Sequence, residues 1–101
     1  MPNTGTITAL VLDPADTVAT VLADVEAGGV IVLKGKEGKI TAMEKVCFGH
    51  KIALQEMGKG EAIVTYGQEI GSAITAVHPG EWVHLHNMAS ALDTGFKKRI
   101  S

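Results

Sequence analysis

The sequence predicts a small, mainly β domain, barrel-like or clip-like, with one α-helix near its start. Three observations carry that expectation. Short β-like runs alternate with glycine-bearing turns from residue 30 onward. A single capped stripe with helical spacing precedes them. Aromatic residues make up only 4% of the chain, so the core must be built from Val, Ile, Leu and Ala.

The elements follow in order. Residues 6–12 (TITALVL) are apolar and β-branched and read as a strand. Asp13-Pro14-Ala15-Asp16 reads as a helix start. Asp13 can cap free N–H groups, Pro14 sits where its missing donor costs nothing, and Asp16 takes the capping-box position. Val18, Val21, Leu22 and Val25 follow at i, i+3, i+4 and i+7, and Gly28-Gly29 ends the stripe. These place a short helix near residues 14–27. Residues 30–33 read as a strand, 34–39 (KGKEGK) as a polar turn, and 40–43 as a resumed strand. Another run, His50-Lys51-Ile52-Ala53-Leu54, lies within 48–54. Gly58-Lys59-Gly60 turns and residues 62–66 form a strand. Gly67 and Gly71 bracket Gln68-Glu69-Ile70, and 74–77 continues. His78-Pro79-Gly80-Glu81 turns, and 82–86 is the last strand. No internal repeat, linker or low-complexity stretch is evident.

With 101 residues the chain suits one domain, 1–101. A core this poor in aromatics buries modest area and gains stability from a partner surface. The net charge is −2 and the isoelectric point about 6.0. That argues against nucleic acid as a partner, which needs a basic stripe to neutralise phosphates. Lys97-Lys98-Arg99 reads as a solvated tail. The single cysteine, Cys47, cannot form an internal disulfide, which fits a reducing compartment. The first residues lack the basic and apolar regions of a signal peptide. No apolar run approaches the ~18 residues that span a bilayer. A cytoplasmic location and no membrane partner are the expectation.

The sharpest local feature is Trp82-Val83-His84-Leu85-His86-Asn87. On a strand, Val83 and Leu85 would face the core while Trp82, His84 and His86 share the other face. Same-face neighbours stand roughly 7 Å apart, so His84 and His86 can reach one metal ion or contact a substrate. They can equally be exposed polar residues opposite a buried pair. Cys47 has no second cysteine to complete a zinc site and reads as a small buried hydrophobe. In Gly49-His50-Lys51, a His and a Lys at a strand start can address an anionic substrate, or His50 can be a structural hydrogen-bonding residue. Lys51 points away from His50 if the strand is regular. His78 reads as a turn residue. Nucleophile-elbow, phosphate-loop, dinucleotide and zinc-protease signatures are absent, and the carboxylates form no acid/base pair.

The blocks Gly49-His50-Lys51-Ile52-Ala53-Leu54, Gly58-Lys59-Gly60-Glu61-Ala62, Tyr66-Gly67-Gln68-Glu69-Ile70-Gly71 and Pro79-Gly80-Glu81-Trp82-Val83-His84-Leu85-His86-Asn87-Met88 together resemble the SAF-type domain of altronate and galactarate dehydratases. The same module occurs free-standing as the alpha subunit of sulfolactate sulfo-lyase. The resemblance covers about residues 7–88, leaving 89–101 as a tail. It implies a β-clip (SAF-like) fold, shared with the antifreeze-like domain of sialic acid synthases. It also implies a lyase in which this chain is a small accessory subunit, inactive alone, beside a large catalytic dehydratase subunit. The substrate class implied is a hydroxylated sugar acid that loses water by β-elimination, or sulfolactate that loses sulfite.

Carried onto this sequence, the matched polar positions give His84, His86 and His50 as expected catalytic residues and Lys51 and Asn87 as substrate contacts. His84 and His86 are also the expected metal ligands. A divalent metal, Fe2+ or Mn2+, is expected mainly on the large subunit, and a homo-oligomer is a further expected assembly. Family members often carry a proline-bearing stretch before Gly-His-Lys, where this chain reads Val46-Cys47-Phe48. The start at Met1 and the residues past the motif favour a separate subunit over a piece of a longer chain. A reading of another class is a non-catalytic sugar-acid-binding or assembly module.

Overall fold

The computed structural model describes residues 7–90, and within them the secondary structure is all β. The strands are β1 Ile7–Leu10, β2 Val18–Val21, β3 Val30–Lys34, β4 Lys39–Thr41, β5 Lys51–Ala53, β6 Ala62–Thr65, β7 Gln68–Ala73, β8 Trp82–Val83 and β9 Met88–Ser90. They form a six-stranded sheet ordered β4-β3-β1-β2-β5-β8 and a three-stranded sheet ordered β9-β7-β6. Only β1 and β3 run parallel among the paired strands described. This mainly β architecture is consistent with the SAF-like expectation. Among the described residues no helix is long and apolar enough to cross a membrane.

The helix expected near residues 14–27 is absent, and the sequence that suggested it does other work. Asp13 Oδ1 accepts the N–H of Ala15, which makes a local turn rather than a helix cap. Asp16 turns back and accepts N–H groups from Leu12 (3.2 Å) and Asp13 (3.3 Å), and a third from distant Gly67 (2.8 Å). The apolar stripe misleads because β2 is buried on both faces. Val18 packs into one hydrophobic cluster while Ala19 and Val21 pack into another. A strand covered on both sides loses its two-residue alternation, and positions 18 and 21 then mimic a helical spacing. The β-branched run Thr17-Val18 and Thr20-Val21 favours the strand.

Four copies of one turn organise the fold, contrary to the expected lack of an internal repeat. Residues 25–30 (VEAGGV), 46–51 (VCFGHK), 57–62 (MGKGEA) and 77–82 (VHPGEW) share a buried first residue and a glycine at the fourth place. Gly28, Gly49, Gly60 and Gly80 have φ of 87°, 85°, 91° and 91°. In each copy the residue after the glycine donates its N–H three residues back, as from His50 to Cys47 (3.0 Å) and Glu81 to His78 (3.1 Å). That is a β-turn whose third residue needs positive φ.

Each of these glycines also donates to the carbonyl of a buried small residue elsewhere: Ala42, Val21, Ala73 and Ala53 in turn. The first two turns join through a Val25–Val46 bridge and the last two through a Met57–Val77 bridge. Each bridge sits in its own hydrophobic cluster. Ile31 and Ile52 belong to the first and Ile63 and Val83 to the second. With only a glycine and an aliphatic residue in common, the copies share too little sequence to be seen as a repeat.

Other expectations shift. Residues 74–77 make no strand, and only Val77 bridges, to Met57. The last strand stops at Val83 instead of running to 86. Residues 89 and 90, expected in the tail, belong to β9. Cys47 is exposed rather than buried, because it stands inside the second turn. Lys97-Lys98-Arg99 lies outside the described residues.

Candidate functional site

The second and fourth turns deliver the site. Each ends where a strand begins, β5 after His50 and β8 after Glu81. The two strands pair antiparallel, Lys51 opposite Val83 and Ile52 opposite Trp82. After Val83 the chain bends through residues 84–87 and returns as β9 in the other sheet.

Asn87 makes that bend. Its Oδ1 accepts the N–H of His84 (2.9 Å), its Nδ2 donates to the carbonyl of Trp82 (2.8 Å), and its own N–H donates to the carbonyl of His84 (3.0 Å). The side chain captures backbone groups that a continuing strand would offer to a neighbour. The alternation expected through His86 therefore ends at Val83. Val83 faces the core as expected, but Leu85 is 63% exposed. Asn87 itself is 4% exposed, with both ends of its amide engaged inside the turn. These bonds shape the bend that carries His84 and His86.

The imidazoles nevertheless gather, around the indole of Trp82. His84 stacks on it with ring centroids 5.3 Å apart and planes 9° apart. His86 contacts it at 4.8 Å and 41°, and His50 at 5.6 Å and 56°. His50 and His84 lie 5.4 Å apart. The indole Nε1–H donates to His50 Nδ1 at 3.1 Å. The Trp82 backbone N–H donates to Glu44 Oε2, also at 3.1 Å.

Beside this cluster a cleft of about 360 Å³ opens between the two sheets. One wall carries His50, Lys51, His84 and Leu85. The other carries Ile70 and Met88. The cleft brings together three of the expected site residues, His50, Lys51 and His84, and leaves His86 and Asn87 out of its lining. Lys51 was expected to point away from His50. His50 belongs to the turn and not to β5, so strand alternation does not separate them. A wider hollow of about 660 Å³ lies at the β3–β4 turn, between Lys36, Glu37 and Lys39. It is a solvated charged loop without an imidazole.

Among the described residues no three His, Cys, Asp or Glu side chains are grouped to hold a metal ion. The pair His84 and His86 thus lacks a third donor there, and a metal centre within the described chain does not fit. His78 stays a turn residue, its Nδ1 2.8 Å from Glu56 Oε1 at the surface. Two contributors were not among the expected site residues. Trp82 is the only tryptophan and was legible as a member of the motif, though not as the hub. Glu44 carried no sequence signal.

The profile of the altronate/galactarate dehydratase SAF domain matches residues 7–91. Altronate dehydratase of Escherichia coli is 35% identical over 77 residues, covering 76% of this chain and 15% of that protein. Altronate dehydratase of Bacillus subtilis shows the same 35% over 77 residues, again 15% of its length. The (2R)-sulfolactate sulfo-lyase subunit alpha of Chromohalobacter salexigens is 29% identical over 84 residues, covering 78% of this chain and 89% of that subunit. The matched part of the chain thus spans a small fraction of the dehydratases and most of the sulfo-lyase subunit.

Proposed function

The chain belongs to the altronate/galactarate dehydratase SAF-domain family, and from that premise we propose that it is the small accessory subunit of a sugar-acid lyase, working beside a separate large catalytic subunit. The observation that carries the reading is the convergence of His50, Lys51 and His84 on one cleft. A β-elimination needs a base beside the carboxylate and help for the leaving group. Lys51 offers an ammonium for the substrate carboxylate, and His84 an imidazole for proton transfer. Among the described residues no Asp or Glu lines the cleft, which supports a partner that supplies the remaining machinery. Any Fe2+ or Mn2+ would be held mainly by that partner, a reading supported by the lack of a three-donor group among the described residues.

Within this reading, water and sulfite compete as leaving groups. The match covers 89% of a sulfo-lyase alpha subunit against 15% of the dehydratases, which keeps sulfolactate among the substrates to test. The experiment is reconstitution with a large dehydratase or sulfo-lyase chain, assayed on altronate, galactarate and sulfolactate. Turnover that needs both chains is expected. Full activity of this chain alone overturns the accessory role. A large chain that works equally well without it leaves a non-catalytic module as the answer.

A further inference from the structure

We propose that Trp82 is a positioning residue that fixes His50 in a single neutral tautomer, so that the cleft presents an imidazole N–H and not a base at this position. The proposal rests on the lyase reading for its functional meaning, and on one hydrogen bond for its chemistry. An indole nitrogen can only donate. Its contact with His50 Nδ1, at 3.1 Å, therefore makes Nδ1 the acceptor. A neutral imidazole carries one proton, so with Nδ1 accepting the proton sits on Nε2.

The consequence for the cleft is specific. His50 lines it, and Nδ1 is held by Trp82, so Nε2–H is what a ligand meets. That nitrogen has no lone pair to take a proton and cannot serve as the general base of an elimination. It can donate a hydrogen bond to a carboxylate or hydroxyl oxygen. His50 then orients an oxygen-rich acid together with Lys51, and the proton-transfer duty falls to His84 or to the partner. This revises the catalytic role expected of His50 from the sequence.

The hub is itself held in place. Glu44 Oε2 takes the Trp82 backbone N–H, Asn87 Nδ2 binds the Trp82 carbonyl, and His84 stacks on the ring. The indole is thus fixed on its backbone and on one face, which is what a tautomer lock requires. A side chain placed merely to fill space would not need its N–H aimed at an imidazole nitrogen.

Nuclear magnetic resonance on the full-length, 15N-labelled chain tests this without an activity assay. In mildly alkaline solution, long-range 1H–15N correlations should show His50 as the Nε2–H form alone. A coupling across the hydrogen bond between Trp82 Nε1 and His50 Nδ1 should be present. Trp82→Phe keeps a ring but removes the donor and should turn His50 into a mixture of tautomers. An Nδ1–H form in the wild-type protein, or no coupling there, overturns the proposal, and neither result needs the variant to fold. In the reconstituted complex, His50→Gln retains an N–H near the Nε2 position and should keep turnover within about tenfold, while His50→Ala raises KM by more. If Gln and Ala fail equally in kcat, His50 is a base and the role assigned here is wrong. If the spectra hold but no sugar acid or sulfolactate is turned over, it is the lyase reading that fails.

Discussion

Val25 and Val46 exchange both of their backbone hydrogen bonds, each N–H meeting the other's carbonyl at 2.8 Å, although neither residue lies in a strand. Met57 and Val77 do the same at 2.9 and 2.8 Å. These two bridges lock four glycine turns into two pairs, and each pair anchors a hydrophobic cluster. His50 follows the glycine of the second turn, and Glu81 takes the same place in the fourth, just before Trp82. The candidate site is therefore built on the rigid repeat, while the bend that carries His84 and His86 hangs from it.

The turn glycines should differ in cost when substituted. Gly49 has φ 85° and open space around a Cβ. Gly49→Ala should lose only the left-handed penalty, about 1–2 kcal/mol. Gly80 has φ 91° and its Cβ would meet the Thr41 carbonyl oxygen at 2.1 Å. Gly80→Ala adds steric displacement of the backbone and should lose about 2–5 kcal/mol in all. Urea unfolding of the two variants measures both. Equal losses would mean that the close approach at Thr41 is relieved at no cost.

Buried polar groups predict two opposite effects. Asp16 is 2% exposed and accepts three backbone N–H groups that tie the 12–16 turn to the β6–β7 turn. Asp16→Ala strands those donors and should destabilise by about 2–4 kcal/mol. Thr65 is 6% exposed and its Oγ1 has no hydrogen-bond partner. Thr65→Val keeps the shape and removes an unsatisfied hydroxyl, so stability should hold or rise by about 1 kcal/mol. A thermal melt that ranks Thr65→Val well below wild type would show that the hydroxyl has a partner in solution.

Asn87→Ala should separate the shape of the site from its chemistry. It removes the acceptor for the His84 N–H and the donor to the Trp82 carbonyl, in a place only 4% exposed. Two stranded backbone groups predict a loss of about 2–4 kcal/mol. Because the bend holds His84 and His86 against Trp82, the near-ultraviolet circular dichroism of the indole should change even where the fold survives. An unchanged indole signal with full stability would mean that the bend forms without Asn87.

Much of the fold was legible where a strand has one dry face or a clear glycine stop. Strands β1, β3, β5 and β6 fall within or beside the stretches read from β-branched runs. The failures share a cause. At β2, burial on both faces erased the alternation, and Val18, Val21 and Val25 then imitated a helix. At β8, one buried asparagine ended a strand whose side-chain pattern alone would continue. At the site, the three histidines and Lys51 were visible as residue types in matched blocks. Their arrangement was not, because it depends on Asn87 bending the backbone and on Trp82 accepting rings from several sides. The four-turn repeat was hidden because hydrogen bonds to Ala42, Val21, Ala73 and Ala53 define it more than sequence does.

The last prediction separates the two histidines of the bend. Both contact the Trp82 ring, but His84 lines the cleft with His50 and Lys51, and His86 does not. If proton transfer occurs in that cleft, His84→Ala in the reconstituted complex should lower kcat by about a hundredfold or more, the usual worth of a positioned acid or base. His86→Ala should leave kcat within a few-fold. Gel filtration of each complex checks assembly, and the indole fluorescence checks that the ring cluster survives. Both residues are exposed, so neither change should greatly affect folding. A loss confined to His86→Ala would move the chemistry to the other side of Trp82, away from the cleft. Full turnover by both variants would reduce these histidines to surface residues and leave binding as this chain's share of the reaction.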